Sequence, residues 1–266
     1  MKLLSHLQLL LICLLLAVSS QLLFNFMVRL IDDAHYAKQR MEVANQLGRF
    51  RLDLEQHLNA SYYTTQGIEI LISTLIIENA SLLSQQDKIE AWAREATIKL
   101  PYIKNIAVSE RYTIRFTYPI QGNAKIIGYN YQDLPSQWPA IKQAVETQRP
   151  IVAGPINLIQ GGIGIIFRIP LFNHHKTNGD EFLGILSIVI DYQDLLKSAD
   201  INQAEKNLSI SMRGKNGLGE KGEVFHGQEA LFNQSNIIQR VNFLVSEWLL
   251  AAKPKNGWSH ESPYST

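Results

Sequence analysis

Few residues in this chain have the type and spacing to do chemistry. His174-His175, with Asp180 and Glu181 close behind, are of metal-ligating kinds. Adjacent histidines on a strand point to opposite faces, and a zinc site needs three or four suitably spaced ligands. A solvated loop explains them better. Gly217 and Gly222 have the spacing of a phosphate-cradling loop, but Glu223 stands where such a loop needs lysine and then serine or threonine. Ser187 and Ser209 have no G-x-S-x-G frame and no histidine in a matching setting. What remains is a binding surface. Val152 to Phe172, VAGPINLIQGGIGIIFRIPLF, has no acidic residue and one base, Arg168. It reads as strand, tight turn at Gly161, Gly162 and Gly164, then strand. Such a segment lets another group lie close to the backbone. The expectation is a small-molecule pocket without catalytic group, metal or cofactor.

The bulk properties narrow the class. A chain of 266 residues holds one large domain or two small ones. Hydrophobic residues make up 46%, too few for a multi-span transporter. A net charge of +1 gives no reason to expect a nucleic-acid partner. The lone cysteine, Cys13, excludes a disulfide within the chain. From Leu3 to Val28 there is no Asp, Glu, Lys or Arg, and about 20 apolar residues suffice to span a bilayer. Two readings compete: an uncleaved anchor, or a signal peptide cut near Ala17-Val18-Ser19. Apolarity resumes at Leu22 and runs to Val28, which favours the anchor. The remainder then lies outside the cytoplasm, periplasmic or extracellular, tethered to the inner membrane.

Behind the anchor the period is helical. Ala37, Met41, Ala44, Leu47, Phe50, Leu54, Leu58 and Tyr62 recur at three- and four-residue steps. This predicts a long helix to about Gln66. Its stripe is either a homodimer seam over residues 30–62 or a surface packed on its own domain. Two further helices are expected, Ile68 to Asn79 and Lys88 to Leu100. The period then changes to two. Ile106 to Ser109 and Thr113 to Pro119 read as paired strands. Trp138 to Thr147 reads as a helix with Pro139 in its first turn. Strands are expected at 151–153, 164–169 and 182–190, with a polar loop at 173–180 and a helix at 192–199. A second small α/β unit follows, with strands at 208–213, 223–225, 237–241 and 248–252.

Several phrases stand in a telling order: PYIKNIAV, FTYP, IGYNYQDLPSQW, IVAGPINLIQGGIGIIFRIPLF, FLGILSIVIDYQDLL, LSISMRG and EWLLAAKPKNGW. Together, from about Glu69 to Trp258, they resemble a CHASE domain, the extracellular ligand sensor of transmembrane histidine kinases and diguanylate cyclases. The resemblance implies an α+β fold with an N-terminal transmembrane helix, a long helical stalk and two PAS-like lobes. The corresponding segments are 1–28 for the anchor, 29–67 for the stalk, 68–200 for helices and distal lobe, 201–258 for the proximal lobe and 259–266 for a tail before a second transmembrane helix, in a longer receptor. It implies dimerisation through the stalk and a ligand in the distal lobe. Carried over by position, the ligand-binding residues are Asn130, Val152, Ala153, Gly154, Phe167, Ile169 and Gly184. Asn130 stands where ligand-binding relatives carry an acid, and an amide is less suited to a cationic ligand. The expected function is a small-molecule sensor without catalysis of its own. The competing reading is a non-catalytic structural or protein-partner-binding periplasmic module.

Overall fold

The computed structural model describes residues 2–77, 86–173, 180–233, 235–244 and 246–259. The His174-His175 pair, Asn79 at the end of the expected second helix and the tail after Ser259 lie outside them. The first helix, α1, runs unbroken over Lys2–Ile77, so the boundary expected at Gln66–Ile68 is absent. Gly67 costs a helix about 1 kcal/mol relative to alanine. That is too little to end one whose next turns are held: Ile68 and Ile72 are fully buried. At 1.5 Å per residue the helix is about 114 Å long. It is the one described helix long and apolar enough to cross a membrane.

Next come α2 (Gln86–Lys99), β1 (Ile103–Glu110), β2 (Thr113–Tyr118), α3 (Trp138–Thr147), β3 (Ile151–Asn157), β4 (Ile163–Asn173), β5 (Glu181–Asp191), α4 (Tyr192–Ser198) and α5 (Ile201–Asn207). The chain ends in β6 (Leu208–Arg213), β7 (Val224–His226), β8 (Ile237–Phe243) and β9 (Ser246–Pro254). The strands form two antiparallel sheets, β2-β1-β5-β4-β3 and β7-β6-β9-β8. Helix α5 has no counterpart in the sequence reading. It is seven residues long and starts from Asp200 in a left-handed conformation, a break that hides it from a periodicity argument.

Both sheets pack on α1. Val43, Leu47, Phe50, Leu54, Leu58, Ile68 and Ile72 form one buried stripe there. The stripe from Leu47 to Leu58 therefore belongs to the chain's own core. Bonds fix the second lobe to α1 along the part nearer its apolar run. Arg40 Nη1 donates to Ser235 O (2.6 Å), Gln239 Nε2 to Ala44 O (2.9 Å) and Asn242 N–H to Glu55 Oε1 (2.8 Å). Tyr102, which leads into the first sheet, donates to His57 O further along (3.0 Å). The second lobe is thus nearer the apolar run and the first lobe is distal. Trp258 comes back to α1, edge-on to Tyr36 (5.7 Å between ring centres) and beside the Arg40 guanidinium.

A second apolar face of α1 is largely exposed among the described residues. Met41, Leu52, Tyr63 and Ile70 are all more than half exposed. They are spaced eleven, eleven and seven residues apart, close to whole turns of a 3.6-residue helix. They therefore line one edge, roughly opposite the buried stripe.

Candidate ligand site

The distal sheet has two unlike faces. Alternation along β4 sends Ile165, Phe167, Ile169 and Leu171 toward α1, where they join the main core. Ile166 and Arg168 face the other way. Register sets Arg168 opposite Ser187 on β5, and Ser187 opposite Ala107 on β1. This outer face is roofed by the segment before α3, which brings Tyr131, Leu134 and Gln137 over it.

Arg168 is the centre of the arrangement and only 3% exposed. Its Nη1 donates to Ser187 Oγ (2.7 Å) and to Tyr131 Oη (2.9 Å), and its Nη2 to Gln137 Oε1. Tyr131 Oη and Ser187 Oγ also bond each other at 3.0 Å, and the guanidinium lies 4.7 Å from the Tyr131 ring centre. All these partners are neutral. Local structure explains their positions. Tyr131 opens a single helical turn capped by Asn130, whose Oδ1 accepts from Gln132 N–H (2.9 Å). Gln137 stands at the N-cap of α3 but makes no capping bond, which leaves its amide for Arg168.

Two hollows meet at this cluster. The inner one, about 30 Å³, is bordered by Asn105, Tyr131, Gln137, Gln160, Arg168 and Ser187 among apolar neighbours. It has room for about a water molecule or two. The outer cleft, about 530 Å³, lies between α3 and β3 of the distal lobe and the 215–218 loop of the proximal lobe. Gln137 and Arg168 border both and form the partition between them.

The sequence-based site residues scatter across this geometry. Val152 and Ala153 border the cleft. Gly154 follows them on β3 without bordering the cleft; its φ is +118, and its N–H donates to Asn216 Oδ1 of the proximal lobe (2.8 Å). A Cβ there would sit 2.6 Å from Gly164 O. Phe167 and Ile169 border neither hollow: they are buried on the α1 face, since a one-residue change of parity turns a strand side chain to the other side of its sheet. Gly184 borders neither hollow either. It is small because β1 passes over it, and a Cβ would come within 1.8 Å of Ser109 O. Asn130 borders neither hollow and serves as a cap. Arg168, Tyr131, Gln137 and Ser187 were not picked out as site residues. The available signal was Arg168 itself, a lone charge in a long apolar run.

A second polar cluster joins the lobes. Tyr192 Oη meets His226 Nδ1 (3.1 Å), and His226 Nε2 meets Glu205 Oε1 (2.9 Å). Burial, and next the negative charge of Glu205, push the Tyr192 phenol well above its ordinary range.

Residues 56–225 match the CHASE domain family model. The chain belongs to the CHASE domain family. No curated protein matches it in sequence. Among solved structures it is similar to the sensory domain of the Campylobacter jejuni chemoreceptor Tlp3, at 10% identity and a TM-score of 0.57, covering 85% of this chain and 98% of that one. The same domain has been solved with isoleucine bound. The sensor domain of the Vibrio cholerae histidine kinase DctB matches at 14% identity and a TM-score of 0.50, over 83% and 99% of the two chains. An extracellular ligand-binding receptor from Desulfohalobium retbaense matches at 15% identity and a TM-score of 0.50 over 82% of this chain, which spans only 40% of that one. At these identities the likeness is one of fold: this CHASE domain has the two-sheet architecture of sensory domains on a long helix.

Proposed function

We propose that this CHASE domain is the extracytoplasmic small-molecule sensor of a membrane receptor, anchored by the apolar run of α1. The observation that carries the reading is the buried polar cluster of the distal sheet, whose Gln137 and Arg168 also border a cleft of about 530 Å³. Ligand pockets have such volumes and few, convergent polar groups. A ligand in the cleft touches α3 and β3 of one lobe and the 215–218 loop of the other, so its binding depends on how the lobes meet. It shifts that arrangement by its difference in affinity for the two states. The proximal lobe, bonded to α1 at Arg40, Ala44 and Glu55, carries the shift toward the membrane. A second copy packs on the outward face at Met41, Leu52, Tyr63 and Ile70, and an output domain of kinase or cyclase type reads the displacement.

Thermal unfolding of the full chain in detergent, screened against amino acids, carboxylates, amines and nucleobases, tests the reading. Some class of compound should raise the unfolding temperature, and Ala153→Trp, which fills the cleft, should abolish the rise. No rise with any class, or a rise untouched by Ala153→Trp, would overturn the assignment.

A further inference from the structure

A guanidinium removed from water needs compensation, and a buried charge is ordinarily paired with an opposite one. Arg168 is buried among a phenol, a hydroxyl and an amide. Among the described residues no Asp or Glu borders either the inner hollow or the cleft. Two bases do, Arg168 and Lys215, and Lys215 Nζ is engaged by Glu223 at 2.8 Å. The uncompensated positive charge therefore faces the ligand space itself.

We infer that the ligand is a carboxylate without an ammonium group, and that its carboxylate replaces the Gln137 amide on Arg168. The inference rests on the sensor reading above and names the chemistry of the same site. Arginine presents a planar fork of donors that matches a carboxylate in two parallel bonds. The Gln137 oxygen now occupies one of those positions. Gln137 is held there by no capping bond, so its side chain can turn away, and turning away joins the inner hollow to the cleft. The carboxylate then sits at the partition, with the rest of the molecule in the cleft against Val152, Ala153 and Ile156. An amino acid would bring an ammonium into a space that offers it no acid, at a cost in desolvation. Gln137 thus doubles as a closure: its displacement is the local event that ligand binding imposes on the start of α3.

The test uses the full chain in detergent. The probes are straight-chain monocarboxylates of two to six carbons, their amides, their 2-amino counterparts and inorganic phosphate. At a hundredfold excess over Kd the acid that fits should raise the unfolding temperature by about 5–10 °C. Its amide and its 2-amino counterpart should give little or no rise. Gln137→Glu supplies a built-in carboxylate to Arg168. It should unfold at a higher temperature than the wild type and lose the response to the acid. Arg168→Lys, which keeps the charge and loses the fork, should weaken binding at least tenfold. The inference is overturned if no acid acts, if amide, amino acid or phosphate acts as well as the acid, or if Gln137→Glu still responds. Stabilisation by a neutral or cationic compound alone overturns the carboxylate while leaving the sensor reading intact. Silence from every compound class removes both.

Discussion

Leu52 and Leu54 stand two positions apart on α1 and separate the two surfaces of the stalk. Two residues turn a helix by about 200°. Leu54 is fully buried against the sheets and Leu52 is 54% exposed. Leu54→Ala removes a packed side chain from the main core, which typically costs about 2–5 kcal/mol. For a domain of this size each kcal/mol moves the unfolding temperature by about 2–4 °C, so the melt should fall by about 4–20 °C. Leu52→Ala leaves the monomer fold within about 0.5 kcal/mol. Its effect should appear in self-association. Burying the exposed half of a leucine is worth about 1 kcal/mol, hence about 2 kcal/mol for the two copies, and dimer affinity should fall about twenty- to thirtyfold. Thermal melts monitored by circular dichroism, with sedimentation equilibrium in detergent, read both quantities. Equal melting temperatures for the two variants would refute the assignment of Leu54 to the chain's own core. An unchanged dimer in Leu52→Ala would refute the outward seam.

Three further outcomes follow from particular contacts. Gly184→Ala should destabilise by about 1–3 kcal/mol or more, because its Cβ meets the Ser109 carbonyl and the backbone must give way; a neutral melt would show that the strands have slack there. Asn216→Ala removes the acceptor of Gly154 N–H and should cost about 1 kcal/mol, with faster amide exchange at Gly154; unchanged exchange would show that this bond does not hold the lobes. Tyr192 has a raised folded pKa, so its neutral form carries stability that is complete below the unfolded value of about 10 and declines as pH rises above it. Tyr192→Phe should flatten the loss of stability above pH 10 in denaturant titrations, and an equal alkaline loss in both proteins would contradict the assignment.

Local pattern made much of this fold readable. The helix at Trp138–Thr147 and the strand at Leu208–Arg213 have the bounds that period and turn residues suggest. The long helix was visible in its stripe, but a single glycine at 67 looked like an end because the burial of Ile68 and Ile72 is tertiary information. The candidate site was harder for a reason of parity. Phe167 and Ile169 come from the resemblance, by position, and a run of apolar residues around Arg168 does not say which set faces α1. The partners of Arg168 lie 37, 31 and 19 positions away at Tyr131, Gln137 and Ser187. Only sheet register and the path of the roof segment bring them together.

Trp258 rests on Tyr36 and Arg40, and Ser259 N–H donates to Gln39 Oε1 at 3.0 Å. Residues 258 and 259 are thereby tied to residues 36–40 of α1, just beyond the apolar run. The body is also held further along the same helix, at Ala44, Glu55 and His57, so α1 and the sheet packed on it are linked at several heights. A displacement of the proximal lobe should therefore carry residues 36–40 and 258–259 together, and spin labels at Gln39 and Ser259 should register reorientation with hardly any change in separation.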